Sequence, residues 1–166
     1  MALSRRHETC QGKAPPMLIR DPRSDDEADW RKLWLGYTRF YKTDVPEAVT
    51  AATWGRVLDP NSAMFARLAE KDGILVGFCI CVPHDGTWSQ EQVCYLEDLF
   101  VAPEARNGGI GRALIEDVLA LGRKKNWARV YWHTQADNAT ARKLYDAFIP
   151  ADDFVRYRIS LPHDER

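Results

Sequence analysis

Two neighbouring carboxylates, Glu97 and Asp98, stand inside the apolar run Tyr95-Leu-Glu-Asp-Leu-Phe-Val101, and Arg106-Asn-Gly-Gly-Ile-Gly-Arg112 follows shortly after it. A carboxylate beside a reacting centre can take a proton from an attacking nucleophile. Successive strand residues point to opposite faces, so only one of the pair can face a given substrate. The glycine-rich turn leads into an amphipathic run over residues 113–125, which makes the whole stretch a strand, a turn and a helix. Such a junction aims unpaired backbone N–H groups and the positive end of a helix dipole at one point, a ready site for a diphosphate. It is not a dinucleotide fingerprint, because the third glycine would fall on Leu114, and it lacks the Gly-Lys-Ser/Thr ending of an NTPase loop. Further on, Asn138 and Tyr145 lie two helical turns apart and can share one helix face about 10 Å long.

The elements that must hold these groups can be read in order. Residues 17–20 form a short apolar run stopped by Asp-Pro, a first strand. Ser24 with Glu27 reads as a capping box, and Trp30, Leu33, Trp34, Tyr37, Phe40 and Tyr41 recur at helical spacing, turning an aromatic face inward. A second helix is expected from Pro46 to the Asp59-Pro60-Asn61 break. Residues 63–70 and 74–82 flank Asp72-Gly73 as a hairpin, and a polar loop carrying Trp88 leads to the strand at 93–101. Residues 128–134 are strand-like after the intervening helix, which makes a parallel crossover. A helix capped by Asp137 or Asn138 runs to Phe148, and the alternation of residues 154–161 (FVRYRISL) predicts a closing strand.

Composition narrows the partners. The chain has 166 residues, enough for one full core. Residues 1–16 lack the apolar middle of a secretion signal and read as a disordered extension, leaving residues 17–166 as a single domain. The 23 basic and 24 acidic side chains balance to a net charge of −1, which offers no field for nucleic acid and no polybasic membrane anchor. No apolar run is long enough to span a bilayer. The four cysteines and four histidines form no metal-ligand spacing, so no metal is expected. Cys79 and Cys81 read as small buried hydrophobes of a reducing, cytoplasmic compartment.

Arg106-x-x-Gly109-x-Gly111 at a strand-to-helix junction, followed by Asn138-x-x-Ala141-x-x-Leu144-Tyr145, resembles the paired signatures of the Gcn5-related N-acetyltransferase (GNAT) superfamily. The segments Leu33-Trp-Leu-Gly-Tyr-Thr-Arg-Phe-Tyr41, Leu58-Asp-Pro-Asn61, Thr87-Trp88 and Val130-Tyr-Trp-His-Thr134 are similar to its branch of fungal and bacterial histone and D-amino-acid acetyltransferases. The resemblance implies an α/β (α+β) fold: a mixed, mostly antiparallel twisted sheet of six to seven strands with a central parallel pair, flanked by about four helices. It implies acetyl-CoA as cosubstrate, held by Leu99, Phe100, Val101, Arg106, Asn107, Gly108, Gly109, Ile110, Gly111, Arg112, Ala113, Asn138 and Tyr145. The coenzyme's pantetheine arm would lie like an added strand where two parallel strands splay apart. The acceptor is a primary amine: a small molecule, an amino acid, a polyamine or a lysine side chain. Tyr37, Tyr41 and Trp88 are the implied acceptor contacts, with His133 a weaker candidate base, and a homodimer is implied as well.

In this family the tyrosine, here Tyr145, meets the thioester sulfur, and Leu96-Glu97-Asp98 is similar to the diamine acetyltransferases, where that glutamate is the base. A base has work to do, because presenting an alkyl amine unprotonated at pH 7 costs roughly 4.6 kcal/mol. Two departures stand out. The family's Gly-Phe after the tyrosine is replaced by Tyr145-Asp-Ala-Phe-Ile-Pro150, and the histone-type branch can have asparagine at the position of Glu97. The alternative reading is a catalytically idle acyl-CoA sensor on the same fold, against which the presence of Asn138 and Tyr145 weighs.

Overall fold

The computed structural model describes residues 17–161, which divide into two units after His133. The expected N-terminal extension lies outside the described residues. In the first unit β1 (Leu18–Arg20), β2 (Phe65–Lys71), β3 (Ile74–His84), β4 (Val93–Val101) and β5 (Arg129–Trp132) form one sheet in that order. The first four strands pair antiparallel and β4 pairs with β5 in parallel. The fold class is the one expected, with five strands in place of six to seven and the parallel pair at one side of the five.

Helices α1 (Glu27–Phe40) and α2 (Glu47–Leu58) supply apolar stripes to one face. Trp30 is fully buried there, stacked between Trp34 and Trp54 with ring centroids 5.4 and 4.9 Å away, over Leu68, Phe78, Ile80 and Phe100. Ser24 does not cap α1 as expected: residues Ser24–Asp26 form a 3₁₀ turn and α1 begins after Asp26. Asp26 accepts from the Arg23 N–H and from both terminal nitrogens of Arg20, a charged fork stronger than a serine hydroxyl could offer.

Helix α3 (Ile110–Lys124) presents Ile110, Leu114, Ile115 and Val118, all buried. Alternation along β3 and β4 sends Cys79, Cys81 and Cys94 to the face opposite Phe78 and Ile80, and all three thiols are free and buried. Arg67 ties β2 to α3 through Asp117, at 2.7 and 3.2 Å. The Asp72-Gly73 turn has positive φ at both residues, 54° and 77°, the geometry that joins two strands most tightly.

The second unit contains α4 (Ala139–Tyr145). The closing strand expected at residues 154–161 does not form, and Phe154, Val155, Tyr157, Ile159 and Leu161 are exposed. Alternation dictates which side chains share a face; it cannot supply the neighbouring backbone that a strand needs. The turn after Tyr145 has no residue of positive φ, so the chain leaves α4 in a right-handed turn that requires no glycine where the family has one.

Candidate active site

The organising irregularity is a bulge in β4. Ile80 pairs with Asp98 and Cys81 with Leu96, so Glu97 is left with no partner on β3. Just there the parallel ladder to β5 ends, at Leu96 opposite Trp132, while β4 continues to Val101. Glu97 is exposed, whereas Asp98 is half-buried on the face of Phe100, toward α1. The two carboxylates therefore occupy different surroundings, as strand alternation requires.

Tyr37, one of the expected acceptor contacts, donates its hydroxyl to Asp98 Oδ1 at 2.6 Å. Burial pushes the Asp98 carboxyl up to about 6; the bond from Tyr37 opposes that rise and the charge of Glu97 adds to it. Burial and the adjacent carboxylate raise Tyr37 as well, which keeps its phenol protonated and a donor. Tyr41 meets the Tyr37 ring edge-on at 5.0 Å. Trp88, by contrast, is 86% exposed on the loop before β4.

Of a second aromatic group on the sheet, sequence reasoning singled out only His133 and missed Tyr95, Tyr131 and His84. Tyr95 on β4 stacks on Tyr131 of β5 at 5.2 Å, and His133 lies 5.3 and 5.8 Å from their rings. His84 at the end of β3 shares a hydrogen bond with the Tyr131 hydroxyl at 2.9 Å. Period-two spacing of Tyr131 and His133 shows that they share a face; the register that puts Tyr95 opposite Tyr131 was the missing information.

Beyond β4 the chain makes a 3₁₀ turn at Pro103–Ala105 and the glycine turn before α3. Asn107 and Gly109 both have positive φ, 63° and 76°, the second at the residue immediately before α3. The Ala113 N–H closes the first helical turn on the Gly109 carbonyl at 3.0 Å, so the N–H groups of Ile110 and Gly111 have no acceptor within the helix. Arg106 folds back, donating to the Val101 carbonyl at 3.1 Å with its guanidinium 5.7 Å from the Phe100 ring centre. Arg112 pairs with Glu116 at 3.6 Å. Phe100 and Ile110 are buried, so contacts of these two with a ligand would be through main chain, whereas Leu99 and Val101 are half-buried. The loop fits a diphosphate: its backbone turns left-handed where N–H groups must converge.

In the second unit Asn138 caps α4, its Oδ1 accepting from the Ala141 N–H at 3.2 Å and its Nδ2 donating to Thr134 Oγ1 at 3.2 Å. Tyr145, half-buried, is the last residue of α4. A cavity of about 720 Å³ at the C-terminal ends of α2 and α3 contains none of the expected site residues. No cluster of potential metal ligands is found among the described residues.

The sequence matches the acetyltransferase (GNAT) family over residues 27–148. It is 36% identical, over 80% of this chain and 84% of the relative, to the D-amino-acid N-acetyltransferase HPA3 of Saccharomyces cerevisiae. It is 27% identical, over 88% and 99%, to the uncharacterized N-acetyltransferase YhfO of Bacillus subtilis. Among solved structures, AAC(6')-Iy in complex with a bisubstrate analogue of CoA superposes with a TM-score of 0.75 at 23% identity, covering 88% of this chain and 99% of that one.

Proposed function

The chain belongs to the acetyltransferase (GNAT) family, and from that premise we propose that it transfers an acetyl group from acetyl-CoA to a primary amine by direct attack in a ternary complex. The observation that carries this reading is the departure of β4 from β5 at a bulge, followed at once by the left-handed turn and the N-terminus of α3. The match over residues 27–148 runs across the two units, which supports treating residues 17–166 as one domain.

Residues 106–112 hold the diphosphate through backbone N–H groups, with Ala113 starting the helix behind them. The stretch of β4 beyond the end of its parallel ladder, Leu99 to Val101, receives the pantetheine arm through main chain, and Asn138 flanks that arm. The coenzyme supplies the activated acetyl thioester. The same β4 amides offset negative charge that builds on the acetyl oxygen. A β4 carboxylate takes the amine's proton, and Tyr145 hydrogen-bonds the departing sulfur. Full proton donation from a phenol of pKa near 10 to a thiolate near 8.5 is uphill by roughly 2 kcal/mol, so donation accompanies departure.

Tyr37 and Tyr41 line the acceptor site, with Trp88 at its rim. The relative that acts on D-amino acids makes these the first acceptors to test, ahead of polyamines, lysine peptides and aminoglycosides. Among the described residues no helix is long and apolar enough to cross a membrane, in keeping with a cytoplasmic enzyme. The exposed alternating segment at residues 154–161 gives a homodimer a surface to bury. Release of free CoA against that amine panel tests the reading; hydrolysis at the same rate with and without every amine would refute it.

A further inference from the structure

We infer that Asp98, positioned by Tyr37, is the carboxylate that receives the acceptor's ammonium group and takes its proton, in place of Glu97. The inference rests on the acetyl-transfer reading and assigns that reaction its base.

Geometry separates the candidates. The bulge turns Glu97 out to solvent and leaves it without a β3 partner. Asp98 sits inward, with Oδ1 fixed by the Tyr37 hydroxyl at 2.6 Å. Its Oδ2 has no hydrogen bond among the described residues and is not sealed from solvent. Other sheltered acids of the first unit already have a guanidinium beside them: Asp26 and Glu70 that of Arg20, and Asp117 that of Arg67. Asp98 has a neutral phenol where those have a guanidinium, and so it keeps a negative charge that no cation answers.

The surroundings suit a cation. Tyr37 faces Asp98 from α1 with Tyr41, just past the end of that helix, against its ring, and Tyr95 and Glu97 lie on β4 itself. Tyr131 and His133 continue the aromatic wall from Tyr95. An ammonium is attracted both by the carboxylate and by ring faces, whereas a carboxylate-bearing end of a substrate would be repelled from this point. The class of acceptor is therefore an amine that enters ammonium-first.

The protons balance. The ammonium nitrogen gives up two as its lone pair forms the C–N bond and the C–S bond breaks. One ends on sulfur, giving neutral thiol, and the other passes to Asp98 and from there to solvent. A carboxyl held near 6 is still about nine-tenths ionised at pH 7, yet is a stronger base than an ordinary aspartate.

The test combines kinetics with a direct titration. For the full-length protein with acetyl-CoA and D-alanine or spermidine, kcat/KM should show an acid limb near pH 6. Asp98→Asn should remove that limb and lower kcat/KM at pH 7.5 by about 100-fold. Tyr37→Phe should move the limb upward, because it deletes the bond that favours the carboxylate. Glu97→Gln should keep the limb and move it slightly downward, because it deletes a neighbouring negative charge. Carbon-13 carboxyl NMR, without acetyl-CoA, should find Asp98 titrating near 6 and its midpoint falling when spermidine is added. An Asp98→Asn variant within threefold of wild type, or a limb abolished by Glu97→Gln, overturns the inference while acetyl transfer stands. Wild-type protein inactive on every amine overturns the underlying reading instead.

Discussion

The Tyr37 hydroxyl and the Asp98 carboxylate, 61 residues apart in sequence, meet at 2.6 Å across the junction of α1 and β4. The folded state holds this carboxyl above its ordinary 3.8, at about 6, so between those values it binds more protons folded than unfolded. Stability attached to this group is therefore lost as pH rises through that window. Asp98→Asn keeps an acceptor for Tyr37 and removes the buried charge. It should raise the free energy of unfolding above pH 6 by as much as about 3 kcal/mol, with the gain vanishing near pH 4. Urea denaturation at pH 4, 6 and 8 checks this, and a variant less stable at pH 8 would contradict it.

Asp26 has the opposite sign. Its hydrogen bonds from Arg20 hold the carboxyl below its ordinary value, despite partial burial. The stability it contributes is complete above 3.8 and is lost as pH falls through the lower, folded value. Asp26→Asn should cost about 1 kcal/mol at pH 7, since part of the interaction is screened by water, and the difference from wild type should shrink below pH 3. Thermal melts across that range decide it.

Two glycines should respond oppositely to alanine. A methyl group at Gly77 would lie 2.8 Å from the Phe100 carbonyl oxygen, in the backbone of β4. Gly77→Ala should therefore destabilise by about 1–3 kcal/mol as the two strands are forced apart. Gly55, inside α2, has nothing within 4 Å of the added methyl, and Gly55→Ala should stabilise by about 0.5–1 kcal/mol. Chemical denaturation of both variants in one buffer gives the comparison.

On the acetyl-transfer reading, Tyr145→Phe should lower turnover by about 100-fold with CoA affinity nearly kept, measured by calorimetry beside steady-state rates. Leu99→Val should leave CoA affinity within about threefold, because its proposed contacts run through the main chain. A fully active Phe variant would mean that the sulfur leaves without help.

Much of this arrangement was legible beforehand because it depends on local chemistry. Asp72-Gly73 specifies its hairpin, the run at 93–101 coincides with β4, and Pro46 marks the start of α2. Tyr37 could be placed on an inward helical stripe, but its partner could not, because spacing along a helix says nothing of which strand residue it meets. Glu97 carries no sign of the bulge: any residue can be left unpaired when two ladders fall out of step. The last eight described residues show the converse, an alternation suited to a strand with no sheet neighbour to make it one.

The burial of Cys79, Cys81 and Cys94 bears on how such a reaction is watched. A disulfide dye added to the folded protein reaches none of these three sulfurs, so after a preincubation that takes up whatever Cys10 gives, colour developing during turnover counts coenzyme molecules that have given up their acetyl group. The same dye becomes a clock for loosening of the sheet: its slow reaction with those thiols times how often the strands beneath α3 come open.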